Sequence, residues 1–227
     1  VDCGANVGMF NAYVQTRFKE LKPRVFCLEP VSDTFKALRK NCERHGGTAL
    51  SYGLGEKAGL VEFEVGLTST GATSSKQHQA WLKKQWDRAI SENASCVKLL
   101  EQSTVCRLIP VGVLSRLVLN LLHSYGKPEK TYGIVLPLSA MMAEQKIDSI
   151  DLLKISAEGS ASEVLGGIKS HDWNRIKQIV IATNTHKARD EACALLRKAG
   201  YSVESERASD WPDYFEKSYV WARRDST

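Results

Sequence analysis

The chain has 227 residues, with 31 Lys and Arg against 26 Asp and Glu, giving a formal charge of +5. It is 43% hydrophobic and 25% charged, an ordinary globular balance at a length that suits one domain with an insertion and a sizeable core. No apolar run reaches the roughly 20 residues of a membrane-spanning helix, and the six cysteines have neither zinc-site spacing nor the density of a disulfide scaffold.

The opening Val1-Asp2-Cys3 is expected to be the end of a strand whose first part is missing, so the sequence reads as a fragment or processed chain without any targeting segment. A Gly-rich turn follows, then a helix over about 9–19. Residues 24–28 form a short apolar strand, and a helix over 32–45 starts at Ser32 or Asp33 as cap and stops at Gly46-Gly47. Residues 49–54 and 60–65 are strand-like. Later come a buried strand over 151–155, a short helix over about 160–170, a strand over 176–183 and a helix over 187–198. Strands over 201–206 and 218–222 close the chain. The alternation predicts an α/β fold, a mostly parallel twisted sheet with helices on both faces. Cys3 and Cys27 lie in apolar runs as small hydrophobes, which favours a reducing intracellular compartment or organelle interior.

Residues 68–133 break this rhythm. They hold nine Lys or Arg and four Asp or Glu, the whole charge excess of the chain. A small-polar linker over 68–75 leads into Trp81, Leu82, Gln85, Trp86, Ala89 and Ile90 at helical spacing. Val113, Leu114, Leu117, Val118, Leu121 and Leu122 make a second stripe. The segment is expected to be a helical, basic insertion within a single domain, either a lid or a docking segment for a protein partner through 76–124. Its charge is modest for a nucleic-acid site, so nucleic acid is disfavoured as a partner.

Asp2-Cys3-Gly4-Ala5-Asn6-Val7-Gly8 stands at a strand end and opens a helix, where glycines allow close backbone approach and N–H groups lack partners. Glu29, before Pro30, ends the next strand. A carboxylate at a neighbouring strand's C-terminal edge suits two ribose hydroxyls, and the missing third glycine argues against a dinucleotide.

With these residues in view, the sequence resembles the FkbM-type S-adenosylmethionine-dependent methyltransferases. The shared pattern is the Asp-x-Gly-Ala-Asn-x-Gly loop, the Glu29-Pro30 pair, Tyr52-Gly53-Leu54-Gly55 with Gly59 and Glu62-Phe63, and Ile150–Ile155 with Glu158, Glu163-Val164-Leu165 and Gly167-Ile168. Asp172-Trp173, residues 176–180 and Gly200-Tyr201 continue it, closest in pattern to O-methyltransferase domains of modular polyketide and peptide synthases. The resemblance implies a Rossmann-like class I methyltransferase fold using S-adenosylmethionine, and no metal ligands are singled out in the sequence. Gly4, Ala5, Asn6 and Gly8 would border the methionine part, Glu29 would hold the ribose, Tyr52 and Gly53 would flank the adenine, and Asp2 is counted among the cofactor-binding residues.

The catalytic half of the pattern departs from the family. Ser156, Ala161, Ala182 and Asn184 stand where the resemblance implies acids or a histidine, and none of them is an efficient base at neutral pH. Glu158 and His186 are the remaining candidate bases. Two readings stay open: O-methylation of a small-molecule or carrier-bound hydroxyl, or a catalytically degenerate, methyltransferase-like structural subunit of a larger assembly.

Overall fold

The computed structural model describes residues 1–65, 72–73, 129–157, 159–209 and 216–224. In chain order, β1 (Asp2–Cys3) leads to α1 (Met9–Arg17), and β2 (Phe26–Leu28) to α2 (Ser32–His45). Next come β3 (Thr48–Leu50), β4 (Gly53–Leu54), β5 (Gly59–Val65) and β6 (Ala72–Thr73). β7 (Glu129–Leu136), α3 (Leu138–Glu144), β8 (Ile150–Ile155), α4 (Ala161–Gly166), β9 (Ile176–Thr183), α5 (His186–Lys198), β10 (Ser202–Arg207) and β11 (Ser218–Arg223) follow.

Seven strands make the main sheet, in the order β10-β11-β9-β8-β1-β2-β3. The five from β9 to β3 pair in parallel, while β11 runs antiparallel to both of its neighbours. β1 is only two residues long but central, with Asp2 opposite Cys27 on one side and Lys154 on the other. Strand order reverses around β1, which creates a crevice at the C-terminal edge of the sheet.

Alternation along β2 assigns its side chains to two cores. Cys27 packs with Leu38 and Cys42 of α2, whereas Phe26 and Leu28 join the larger cluster with Leu153, Ile155, Ile179 and Ile181. α5 turns Ala192, Cys193 and Leu196 inward and is capped by Thr185, whose hydroxyl accepts from the Ala188 N–H at 3.0 Å. The start of α2 differs from expectation. Neither Ser32 nor Asp33 caps it, and Asp33 instead accepts from Lys36 at 2.7 Å.

A second sheet, β4-β7-β5-β6, corrects two expectations. Residues 49–54 are not one strand: the chain leaves the main sheet after Leu50, and Gly53-Leu54 pairs with β7. Residues 129–133, expected within the helical insertion, belong to β7, which pairs antiparallel along all of β5. The Thr-Tyr and Ile-Val pairs in β7 favour a strand. Residues 74–128, with both apolar stripes and the suggested docking surface, lie outside the described residues. Among the described residues no helix is long and apolar enough to cross a membrane.

The small sheet rests on the end of β2. A Cβ at Gly133 would stand 2.6 Å from the Pro30 carbonyl oxygen and 3.1 Å from the Phe63 ring, so only glycine admits this approach without a shift. The main sheet's stability should depend on β8. Leu153→Ala, at a fully buried position, is expected to cost about 2–5 kcal/mol, read as a lower urea midpoint with an unchanged slope.

Candidate active site

The turn after β1 is tied to the end of β2. The Gly4 and Ala5 N–H groups both donate to the Leu28 carbonyl, at 3.1 and 2.9 Å. Gly4 has φ +74°, and a Cβ there would meet the Ser156 carbonyl oxygen at 2.5 Å, so the turn threads between β2 and β8 only with glycine. Asn6 also takes a left-handed conformation, and its side-chain Oδ1 accepts from the Val7 N–H at 2.7 Å.

Glu29 faces this turn. Its Oε2 accepts from the Asn6 N–H at 3.1 Å and its Oε1 from the Val31 N–H at 3.0 Å, so both oxygens are held by backbone. Glu29 is 6% exposed. Burial raises its pKa above the ordinary carboxylate value, the Val31 and Asn6 N–H groups pull the other way, and the charge of Asp2 adds to the rise.

These groups line a cavity of about 760 Å³ at the crevice beside β1. Gly4, Ala5, Asn6 and Phe10 form one wall, and Glu29, Pro30 and residues 53–57 another. Val61, Phe63 and Val135 of the small sheet supply an apolar side. Lys154, Ser156, Ala157, Ser160 and Glu163 close it from the end of β8 and the start of α4. Cys3 also lines the cavity, but burial pushes its thiol up to about 12, so it stays protonated and is no nucleophile at neutral pH.

Of the residues singled out in the sequence, Gly4, Ala5, Asn6, Glu29 and Gly53 come together at this cavity. Asp2 lies fully buried beneath it, and Lys154 Nζ donates to its Oδ1 at 2.7 Å. Gly8 is the N-cap of α1 and packs on Leu38 rather than lining the cavity. Tyr52 is also off the wall, because its hydroxyl donates to Glu144 at 2.9 Å. His186 begins α5, its N–H bonded to Glu216 at 3.1 Å, and it does not line the cavity. Glu158 lies outside the described residues.

Sequence reading missed Lys154 and Ser160 as wall residues, quoted Glu163 only as part of a motif, and missed the small-sheet wall. The signal for Lys154 was available: it sits near the C-terminal end of the strand beside β1 at the reversal point. The apolar wall carried none, since it depends on the unanticipated pairing of β5 with β7.

A mostly parallel seven-stranded sheet with a reversed β11 and a cavity at the strand reversal defines a Rossmann-like class I methyltransferase fold. The chain matches the family profile described as the methyltransferase FkbM domain over residues 2–203 and belongs to the FkbM methyltransferase family. It is 26% identical to methyltransferase sdnD of Sordaria araneosa, over 99% of this chain and 80% of that one. It is 29% identical to the 31-O-demethyl-FK506 methyltransferase FkbM of Streptomyces tacrolimicus, over 91% and 73%. The crystal structure of methyltransferase FkbM from Methylobacillus flagellatus KT superposes with TM-score 0.50 at 14% identity, over 97% of this chain but 42% of that chain. This chain thus spans under half of that solved chain, and the likeness supports the fold. The methyl donor of the family is S-adenosylmethionine.

The buried carboxyl gives a test of the site's electrostatics. With its folded pKa raised, the native state binds more protons than the unfolded chain between about 4.3 and that raised value. The stability of the ligand-free wild type relative to Glu29→Gln should therefore increase as pH falls through this window. Urea unfolding at pH 7 and pH 5 reads the difference, and an equal gap at both values contradicts the assignment.

Proposed function

We propose that the cavity binds S-adenosylmethionine through Gly4, Ala5, Asn6, Glu29 and Gly53 and directs its methyl group to a hydroxyl of a small-molecule or carrier-bound acceptor. The observation that carries this reading is the Glu29 carboxylate, fixed by two backbone N–H groups at the edge of the Gly-turn cavity. Each anchored oxygen keeps a lone pair for a ribose hydroxyl. The cavity volume is also in the range of small-molecule sites, about 300–1,000 Å³. The residues present fit the donor. The choice of oxygen follows the Streptomyces relative, whose name gives an O-demethyl compound as its substrate.

When bound, the donor supplies a methyl group on an electrophilic sulfonium. The chain's part is to hold that methyl against the acceptor oxygen, exclude water and take a proton. With Ser156 neutral, Ala161 buried and His186 off the cavity wall, the carboxylates that line the cavity among the described residues, besides Glu29, are Glu56 and Glu163. Glu163 is in the first turn of α4, on the Ser156 and Ser160 side, and is the residue we assign to accept the acceptor's proton. Glu56 lies against Gly166, one turn further along α4.

The degenerate-subunit reading draws on the neutral Ser156 at the wall and the buried Ala161. Turnover separates the two readings. Glu163→Gln should lower kcat by about 10²–10⁴-fold with donor affinity unchanged, whereas Glu56→Gln should leave kcat within a few-fold. A wild-type chain that binds the donor tightly but transfers no methyl to any hydroxyl acceptor would favour the structural subunit.

A further inference from the structure

Lys154 is a charged wall residue that the reading above leaves without a task. Its side chain is 21% exposed and lines the cavity beside the Gly turn, and its ammonium donates to Asp2 Oδ1 at 2.7 Å. Nζ also stands 5.3 Å from the centre of the Phe10 ring, which holds the amine over an aromatic face. Asp2 is 0% exposed, and its second oxygen, Oδ2, is buried with no hydrogen-bond partner. A buried carboxylate without full hydrogen bonding needs a nearby cation, and the Asp2 bond together with the Phe10 ring holds the Lys154 Nζ at one place. An ammonium has three donors, and the bond to Asp2 uses one of them.

We propose that Lys154 is the anchor for the α-carboxylate of the donor's amino-acid tail, with Asp2 as the residue that positions it. The inference rests on the adenosyl site proposed above. Glu29 and Lys154 line the same cavity, reached from β2 and β8 on opposite sides of β1. A ligand whose ribose sits at Glu29 extends its tail along the Gly4–Asn6 turn, which lies between those strands. The tail ends in a carboxylate, which needs a cation at that end of the cavity. Lys57, the other lysine of the cavity wall, belongs to the loop after β4, on the side of Gly53 and Leu54. An ammonium already ordered by Asp2 and Phe10 loses little freedom on binding, so the contact favours affinity.

The test compares ligands that differ only in the group in question. Titration calorimetry is run on wild type and Lys154→Gln with S-adenosylmethionine, its decarboxylated counterpart, and 5′-methylthioadenosine, which has no amino-acid tail. Wild type should bind the carboxylated donor roughly ten- to hundredfold more tightly than the decarboxylated one, the range of a charge-assisted hydrogen bond. In Lys154→Gln that ratio should fall to about threefold or less, while 5′-methylthioadenosine binds both proteins alike. Equal affinity of wild type for the first two ligands overturns the proposal, and so does a ratio that survives in the variant. Loss of all three ligands in the variant alone makes Lys154 structural and also overturns it. A wild type that binds 5′-methylthioadenosine without preference for the carboxylate refutes this inference and leaves the adenosyl site standing, whereas a wild type that binds none of the three ends both. If Lys154→Gln does not fold, acetylation of Lys154 in wild type decides by mass spectrometry. Protection by S-adenosylmethionine but not by its decarboxylated form supports the anchor, and equal protection by both removes it.

Discussion

One carbonyl oxygen organises the site. Leu28 O, at the last residue of β2, receives both the Gly4 and Ala5 N–H groups, and Leu28 and Ala5 are themselves buried. Losing both would leave the buried Leu28 carbonyl and Ala5 N–H unsatisfied, at a cost of about 1–3 kcal/mol for each buried group. The pair forces the chain leaving β1 to bend across the end of β2 instead of continuing straight. That bend directs the Asn6 N–H at Glu29 and sets the start of α1 over the sheet edge. It also brings Gly4 against the Ser156 carbonyl, so three strand ends converge within a few ångströms of one turn. Backbone groups fix the whole arrangement, which is why it survives with an unusual set of side chains around it.

Much of this is legible in the sequence itself. The Gly-Ala-Asn-x-Gly turn and the Glu-Pro strand end carry their geometry locally, through positive φ, missing side chains and a blocked strand. Apolar runs at 151–155 and 176–183 announce buried strands, and both are found, β8 beginning one residue earlier at Ile150. What stayed hidden depends on partners distant in sequence. β4 is two residues long and exists only because β7 lies beside it. β7 in turn is separated from β5 by more than sixty residues, and so carries no hairpin signal. The site residues divide in the same way. Gly4 and Glu29 follow from motif chemistry. Lys154 becomes visible only when β8 is placed next to β1, and Tyr52 leaves the site because its hydroxyl finds Glu144, 92 residues away.

The small sheet explains how a common fold comes to have its own cavity. Val61, Phe63 and Val135 present an apolar wall opposite the polar turn, and Gly133 lets that wall sit directly on Pro30. The cavity is thus polar where the backbone is fixed by the parallel sheet and apolar where a separate sheet is added. Specific orientation of a ligand comes from the first side, and shape selection from the second. Residues that decide which acceptor is accommodated would then belong to elements outside the parallel core, where the sequence pattern is least informative.

Buried charge bears on the choice between an enzyme and a scaffold. Asp2 is fully enclosed with one oxygen unpartnered, and Glu29 is buried near it, so the pKa of Glu29 is driven up by burial and by the charge of Asp2. Buried charges held by one cation are a poor way to stabilise a sheet, since well-packed apolar residues of similar volume do as well or better by about 1–4 kcal/mol. A chain retained for its shape alone gains nothing from Asp2, Glu29 and Lys154 at the centre of its parallel sheet. A chain that binds a sulfonium with an amino-acid tail would gain from all three under the proposals above: one carboxylate for the ribose, the ammonium for the tail, and the second carboxylate to hold that ammonium in place. Neutral residues at 156 and 161 weaken one way of taking up a proton. They leave in place Asp2, Glu29 and Lys154, the costly charged cluster that the proposed donor site would use.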